Sequence, residues 1–246
     1  MTVFDDLVAE QDRLDGILSA LSPAQWLMES GAAGWSVADV VLHLAQSEEG
    51  VVASAAGREL RSAFAPAASE TVDGYAEEMV RRDRAAPSVV YDRWQLARRA
   101  AVAGLRAADP QRALEWVAGT VKPATLATTR LAEHWAHGLD IAGPLGISLA
   151  DTDRLRHIAW LAHRTLPYSM TTAGLPVVAV RCVLTAPSGA ESWSFGPEDA
   201  PSSITGPAGE FCRFAAQRLK PDAATGLTAS GPHGAAALGV LRTYAV

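Results

Sequence analysis

Hydrophobic residues recur at helical spacing through the first half of the chain. The segment VFDDLVAEQDRLDGILSAL, residues 3–21, places Leu7, Leu14 and Leu18 seven and four residues apart. Positions spaced by three, four or seven residues fall on one side of an α-helix, so the segment carries a single apolar stripe. This pattern predicts a first helix with one buried face.

Capping residues indicate where the next two helices begin. In LSPAQW, Ser22 can cap a helix and Pro23 suits the first helical position. In GWSVADVVLHLAQSEEGVVASAAG, Ser36 is followed three residues later by Asp39, which takes the place of the usual glutamate in a capping box. The second long helix is therefore predicted to begin at about Val37.

Three further segments complete the first half of the chain. The Ala/Pro-rich stretch 58–69 predicts a loop, and the stretch 72–109 predicts a helical segment that is interrupted near Pro87. A fourth helix is predicted from near Pro123 to a stop at Gly143. Four helices with connections of varied length favour a bundle.

The pattern changes after a fifth predicted helix, which would begin at the cap Asp151 and end near Pro167. The runs LPVVAVRCVLTAP and ESWSFG are β-branched or alternating and are separated by PSG, which predicts a hairpin. SSITGPAGEFCRFAAQRL predicts a strand, a Gly-Pro turn and a helix. We therefore predict an α+β fold, with an up-down four-helix bundle over residues 1–150 and a small α+β domain with a linking helix over residues 151–246.

Composition and charge argue against several classes of function. Of the 246 residues, 49% are hydrophobic and 20% are charged, no run of eighteen apolar residues occurs, and the N-terminal segment lacks the features of a signal peptide. These features predict a cytoplasmic protein without a membrane partner. The net charge of −6 argues against nucleic acid as a partner. Cys182 and Cys212 form no CxxC motif and are predicted to be buried apolar residues.

The segment RLAEHWAHGLDIAG, residues 130–143, concentrates ionisable side chains in an otherwise apolar helix. Glu133 and His137 are four residues apart, about 40° from each other around the helix, so both side chains reach one point beside it. His43 lies on the apolar stripe of the second long helix, where hydrocarbon is expected. If the two helices are neighbours, the three side chains converge on a divalent ion and leave positions for water or substrate.

Each part of this pattern also has a common structural explanation. A glutamate and a histidine four residues apart more often form a surface pair, and a lone histidine on an apolar stripe usually bonds a backbone carbonyl in the core. Asp140 either orients the imidazole of His137 or is simply a polar residue at the helix end. Arg130 either binds a carboxylate of the cofactor or substrate at a pocket rim or forms a salt bridge across the bundle, and the second role is favoured.

Two segments resemble those of a known family. GWSVADVVLHLAQSEE and RLAEHWAHGLDIAGPLG are similar to the signature segments of the DinB-like metalloprotein superfamily, in the actinobacterial branch that includes the mycothiol-dependent maleylpyruvate isomerases. The resemblance spans most of residues 3–220 and implies that His43, Glu133 and His137 hold a catalytic divalent metal, usually zinc. It also implies that the segment ITGPAGEFCRFAAQR ends in a catalytic arginine, Arg218, whose alternative role is that of a positive charge at the end of a helix, where it favours the helix dipole.

The resemblance implies a reaction that uses a thiol. Two neutral imidazoles and one carboxylate leave a zinc site with residual positive charge, and a thiol bound there loses its proton more easily and becomes nucleophilic. The expected function is isomerisation or S-transfer on a small electrophilic substrate, with mycothiol as cosubstrate. Nickel, iron or manganese would suit the same ligands. His134 departs from the family pattern and either replaces a ligand or acts as a base, although it points about 100° away from Glu133, which favours a non-ligand role.

Other functions are compatible with the same residues. The chain is alternatively a metal-stabilised binding or resistance protein for a small reactive metabolite, or a zinc hydrolase in which bound hydroxide attacks directly. Trp35, Trp94, Trp116 and Trp135 are predicted to be packing aromatics rather than a substrate cage. The sequence determines neither the metal, nor the substrate, nor the oligomeric state.

Overall fold

The chain divides into two compact units, Met1–Leu149 and Ala150–Ala245. The computed structural model describes residues 2–58, 60, 71–117 and 119–243. The fold is α+β, as predicted, with long helices in the first unit and a small sheet with helices in the second. Among the described residues, no helix is both long and apolar enough to cross a lipid bilayer.

The described part of the first unit is an up-down bundle of four long helices, with shorter helices between them. Its helices are α1 (Val3–Leu18), α2 (Pro23–Trp26), α3 (Val37–Ala55), α4 (Val72–Asp83), α5 (Pro87–Ala107) and α6 (Pro123–Ala142). The helix α3 packs chiefly against α5, and α1 packs chiefly against α6. The interruption predicted near Pro87 is confirmed, because α4 ends at Asp83 and Pro87 is the first residue of α5.

Local capping explains why α3 begins where it does. The Ser36 hydroxyl accepts a hydrogen bond from the Asp39 amide at 3.2 Å, and the Asp39 carboxylate accepts one from the Ser36 amide at 3.0 Å. The predicted capping box and the start at Val37 are confirmed. The predicted cap Ser22, with Pro23 at the first position of α2, is confirmed as well.

The bundle core consists of the apolar stripes that the sequence pattern predicted. Leu14 of α1, Val40 and Leu44 of α3 and Trp94 of α5 are buried in one cluster. His43 follows Val40 by three residues and directly precedes Leu44, so the packing of these neighbours turns His43 toward the inside of the bundle.

One hairpin of the first unit was not predicted, and one predicted loop lies mostly among residues that the structure does not describe. The strands β1 (Leu114–Trp116) and β2 (Gly119–Val121) form an antiparallel hairpin that the sequence pattern does not indicate, because strands of three residues are too short to show alternation. The loop predicted for residues 58–69 lies almost entirely outside the described residues.

In its described residues, the second unit packs helices against a four-stranded sheet. Its elements are α7 (Leu155–Thr172), β3 (Val180–Thr185), β4 (Ser192–Phe195), β5 (Ser202–Pro207), α8 (Ala208–Ala215), a 3-10 helix (Pro221–Ala223), β6 (Thr228–Ser230) and α9 (Gly234–Gly239). The strand order is β4-β3-β5-β6, in which β3 and β5 are parallel and the other pairs are antiparallel. The predicted hairpin of β3 and β4 and the predicted strand, turn and helix of β5 and α8 are confirmed.

The limits predicted for the fifth helix are wrong at both ends. The helix α7 begins at Leu155, because the Asp151 carboxylate binds the Arg213 guanidinium at 2.7 and 2.8 Å instead of capping a helix. Pro167 lies inside α7, which continues to Thr172. A proline removes one backbone hydrogen bond from a helix, so the packing of α7 must outweigh this loss.

Both cysteines are buried, as predicted. Cys182 lies in β3, Cys212 lies in α8, and both are free thiols. Burial raises the pKa of the Cys182 thiol to about 12 and also raises the pKa of Cys212. Neither residue is therefore suited to act as a thiolate nucleophile or ligand.

Candidate metal centre

The bundle brings together the three residues that the sequence singled out as metal ligands. His43 projects from α3, and Glu133 and His137 project from neighbouring turns of α6. The Nε2 atom of His43 lies 3.6 Å from Oε2 of Glu133, and Nε2 of His137 lies 3.4 Å from the same oxygen. One ligand atom from each residue lies within 4.8 Å of the other two, a separation that a single divalent ion can hold together.

The cluster is accessible within the first unit. The side chains of His43, Glu133 and His137 are 18%, 32% and 11% exposed, so each is partly open to solvent. Structural zinc sites usually enclose the metal with four protein ligands, whereas catalytic sites use three and leave a position open. Three partly exposed candidate ligands match the catalytic type.

The hydrogen bonding of His137 leaves its ligating nitrogen available. Its Nδ1 atom lies 2.9 Å from Oδ2 of Asp140, three residues further along α6. An ionised carboxylate only accepts hydrogen bonds, so Nδ1 carries a hydrogen, and once Nε2 has lost its proton the lone pair of that nitrogen is directed toward Glu133. Nε2 of His43 faces the same oxygen, so two ring nitrogens and a carboxylate oxygen surround one space that a proton or a cation can occupy. The donor set therefore fits a divalent metal.

The electrostatics of the cluster favour an ionised Glu133. Burial opposes ionisation, but the neighbouring rings of His137 and His43 outweigh it and hold the pKa of Glu133 well below its usual value. Burial lowers the pKa of His43. Burial acts in the same direction on His137, but Asp140 and Glu133 outweigh it and raise its pKa. Metal binding would therefore compete with a proton chiefly at His137.

A tryptophan that was predicted to be a packing residue lies directly against the cluster. The Trp35 ring centroid is 5.2 Å from that of His43 and 6.4 Å from that of His137, and the planes of the Trp35 and His137 rings differ by 26°. Trp35 does pack, but against both candidate ligands. The position of Trp35 in the sequence could have revealed this contact. Trp35 directly precedes the N-cap Ser36, so it lies at the start of the helix that carries His43.

Arg130 forms a buried ion pair across the bundle. Its Nε atom donates to Oε1 of Glu48 at 2.9 Å, and the two side chains are 3% and 0% exposed. The guanidinium carbon also lies 5.8 Å from the centre of the Trp116 ring. This geometry supports the salt-bridge role. The alternative role, binding of the cofactor or substrate, does not fit an enclosed group that already has a partner.

His134 is engaged in the packing of the bundle rather than in the cluster. Trp94 donates from Nε1 to Nε2 of His134 at 3.2 Å, and Nδ1 of His134 lies 2.9 Å from the carbonyl oxygen of Arg130. Burial lowers the pKa of His134 to about 3, so the ring is neutral. Because both ring nitrogens are occupied, His134 does not fit the role of a base or a replacement ligand.

Arg218 belongs to the second unit and lies beyond the end of α8. The helix was predicted to end in this arginine, but it ends at Ala215, and Gln217 adopts a positive φ of 60° that turns the chain out of the helix. The Arg218 guanidinium donates to the carbonyl oxygen of Ala216 at 2.7 Å. Its catalytic role stays a prediction.

Comparisons with known proteins agree with this architecture. The sequence model of the mycothiol maleylpyruvate isomerase N-terminal domain family matches residues 7–142, a range that contains all three residues of the cluster. Two uncharacterized proteins from Mycobacterium tuberculosis, one from strain CDC 1551 and one from strain H37Rv, are 35% identical to this chain over 219 residues. The match covers 87% of this chain and 84% of each relative.

Solved structures show the same fold. The crystal structures of the mycothiol-dependent maleylpyruvate isomerase and of a mutant of it match with a TM-score of 0.62. Each match covers 93% of this chain and 91% of the other chain, at 16% sequence identity. At that identity the likeness supports the fold and leaves the activity to be argued from the site.

Proposed function

Because the chain belongs to the mycothiol maleylpyruvate isomerase N-terminal domain family, we propose that it is a divalent-metal-dependent enzyme that uses a low-molecular-weight thiol. The thiol, mycothiol by analogy with the family, would be the nucleophile in an isomerisation or S-transfer on a small electrophilic substrate. The observation that carries the proposal is the convergence of His43, Glu133 and His137, whose ligand atoms lie within 4.8 Å of one another.

These three side chains would hold the metal, with zinc as the first candidate and nickel, iron or manganese as others that the donor set accepts. When bound, the metal would supply positive charge that lowers the pKa of a thiol and favours its anionic form. Two neutral imidazoles and one carboxylate do not neutralise a divalent ion, so the open side of the cluster stays electropositive.

Asp140 would prepare His137 for this role. Its carboxylate, 2.9 Å from Nδ1, fixes the orientation and the tautomer of the ring and keeps the lone pair of Nε2 directed toward Glu133. Asp140 is itself buried, with 4% of its surface exposed, so solvent does not compete for this hydrogen bond. We propose that Asp140 is a positioning residue for the metal.

Arg218 is proposed, on the resemblance alone, to bind an anionic group of the thiol or substrate. If so, Arg218→Met would raise KM or lower kcat while leaving the metal content unchanged. Arg156→Met, at an exposed position of α7, is the matched control for loss of a positive charge in the same unit.

Two measurements on purified protein test the main proposal. Elemental analysis should find about one divalent metal per chain, and His43→Ala should lose it, whereas His157→Ala, outside the cluster, should keep it. Turnover of maleylpyruvate or of a chlorodinitrobenzene electrophile should require added mycothiol or an analogous thiol.

Each failure would point to a different function. Full metal occupancy in His43→Ala would overturn the ligand assignment. Turnover by hydrolysis without any thiol would favour a zinc hydrolase. Binding of small electrophiles without metal or turnover would favour a binding or resistance protein.

A further inference from the structure

We propose that the loop formed by residues 29–36 is a positioning element of the metal centre. It would set the affinity of His43 and His137 for metal through two of its contacts, although it contributes no ligand. The first contact is made by Gly31 with Asp140, and the second is made by Trp35 with both imidazoles. The inference rests on the proposed metal site.

The loop is closed upon itself by hydrogen bonds, so that its backbone position is well defined. Glu29 and Ser36 form a β-bridge at its two ends. The amide and the hydroxyl of Ser30 both donate to the carbonyl oxygen of Trp35, at 2.9 and 2.8 Å. The amide of Trp35 donates to the carbonyl oxygen of Ala32 at 3.1 Å. The backbone of Trp35 is thus held at both its amide and its carbonyl group.

Gly31 connects the loop to the C-terminal end of α6. Its amide donates to the carbonyl oxygen of Asp140 at 2.7 Å. A Cβ atom built on Gly31 would lie 3.0 Å from the Asp140 Cα atom and 3.2 Å from its Oδ1 atom. A side chain at position 31 would therefore press on the backbone of Asp140 and on the carboxylate that binds His137.

Trp35 holds the two imidazoles from another side. The Trp35 ring centroid lies 5.2 Å from that of His43, at an interplanar angle of 47°, and 6.4 Å from that of His137, at an angle of 26°. The centroids of the His43 and His137 rings are 5.1 Å apart. Ring contacts at these distances restrict rotation of each imidazole about its side-chain torsions.

Together these contacts support the candidate ligands on both helices. His137 is oriented by a hydrogen bond at Nδ1 and by the Trp35 ring, and His43 is contacted by the same ring. Metal ligands that are held in place before binding lose less conformational freedom when the ion arrives, and outer partners of this kind commonly change metal affinity by roughly 10- to 100-fold. One short loop thus supports both imidazoles.

The test compares Gly31→Ala with Gly16→Ala, because a Cβ at Gly16 in α1 would meet no atom within 4 Å. Zinc affinity is measured by competition with a chromophoric chelator, and the visible spectrum of the cobalt-substituted protein reports the ligand geometry. Gly31→Ala should bind zinc roughly 10- to 100-fold more weakly and alter the cobalt spectrum, whereas Gly16→Ala should match the wild type.

A second pair of variants tests the other contact. Trp35→Leu should weaken zinc binding by roughly two- to tenfold, and Trp35→Phe, which keeps an aromatic ring, should recover most of the affinity. Urea unfolding of the metal-free proteins checks that each variant is folded. If Gly31→Ala fails to fold, the comparison of Trp35→Leu with Trp35→Phe decides the matter alone.

The outcomes separate this inference from the proposed function. If the wild type binds no divalent metal, both fall. If the wild type binds metal and His43→Ala does not, the metal site is supported. If the folded loop variants then bind zinc as tightly as the wild type, only the proposed role of the loop is overturned. Weaker binding with an altered cobalt spectrum in the loop variants supports it.

Discussion

The Oδ2 atom of Asp140 lies 2.9 Å from Nδ1 of His137, so these residues of α6 are hydrogen bonded and both are largely buried. This contact places a carboxylate behind one candidate ligand, on the side away from Glu133. Asp140 also contacts the loop of residues 29–36, because the Gly31 amide donates a hydrogen bond to the Asp140 carbonyl oxygen. Asp140 therefore connects the candidate metal cluster to the loop that contacts it.

We expect Asp140→Ala to weaken zinc binding by roughly 10- to 100-fold without removing a ligand. Asp140→Asn should have a smaller effect, because its amide oxygen can still accept a hydrogen bond from Nδ1 of His137. Chelator competition measures the dissociation constants, and Asp92→Ala, at an exposed position of α5, is the control. Unchanged zinc affinity in Asp140→Ala would exclude the positioning role.

Metal binding should stabilise the folded chain. A ligand present at 100 times its dissociation constant adds about 2.7 kcal/mol to the free energy of unfolding. We expect this gain when zinc is added to metal-free wild type, and its loss when a chelator is added. Chemical unfolding monitored by circular dichroism measures it. His43→Ala should show little or no gain, and an equal gain in that variant would contradict binding at the cluster.

The buried pair of Arg130 and Glu48 should be sensitive to the loss of one partner. Arg130→Met leaves a buried carboxylate without its cation and should reduce the free energy of unfolding by about 3–5 kcal/mol. Among the described residues, Nη2 of Arg130 and Oε2 of Glu48 have no hydrogen-bond partner. The double variant Arg130→Met, Glu48→Met removes both unpaired atoms and the uncompensated charge, so it should recover much of the lost free energy of unfolding.

An exposed ion pair provides the matched control for this prediction. Arg106 and Asp5 lie 2.7 Å apart with 48% and 43% of their side chains exposed, and Arg106→Met should change the free energy of unfolding by less than about 1 kcal/mol. Urea unfolding at neutral pH compares the variants. A small loss in Arg130→Met, similar to that in Arg106→Met, would refute the structural role of the buried pair.

Much of the candidate site could be predicted because its spacing is local. Glu133 and His137 are one turn apart on a single helix, so their common direction follows from helical geometry. His43 required a further step, the packing of α3 beside α6, which the apolar stripes favour. The capping box of Ser36 and Asp39 could likewise be predicted, because both residues lie within one turn.

The rest depends on contacts between residues distant in the sequence. Glu48 gives no sign of its burial, because an acid in an amphipathic helix usually faces solvent, and only the packed bundle places it beside Arg130. The contact of Gly31 with Asp140 arises from a loop without periodic pattern. Pro167 was predicted to end α7, because local propensity favours a stop there and tertiary packing overrides it.

The Asp39 carboxylate should make α3 stability depend on pH. Burial raises the pKa of Asp39, but its hydrogen bonds with Arg84 and Ser36 outweigh burial and lower the pKa below its usual value of 3.8. The stabilisation of the folded state by ionised Asp39 is therefore complete above pH 3.8 and is lost as the pH falls through the lower pKa of Asp39 in the folded state.

The comparison is the free energy of unfolding of wild type and Asp39→Asn. At neutral pH the variant should be less stable by about 0.5–2 kcal/mol, as for the loss of a helix cap, and the difference should narrow as the pH falls below about 4. Asp92→Asn is the control at an exposed position. A difference that stays constant down to pH 3 would contradict the assignment.

The two cysteines should not react in the native protein. Cys182 and Cys212 are both fully buried, and burial raises the pKa of Cys182 to about 12, so little thiolate forms at neutral pH. We expect a chromogenic disulfide reagent to label no thiol in native protein and two thiols in urea. A Cys182→Ala, Cys212→Ala variant should keep full thiol-dependent turnover, because the proposed nucleophile is the added thiol. Rapid labelling of the native chain, or loss of turnover in a folded double variant, would show instead that a thiol of the protein takes part.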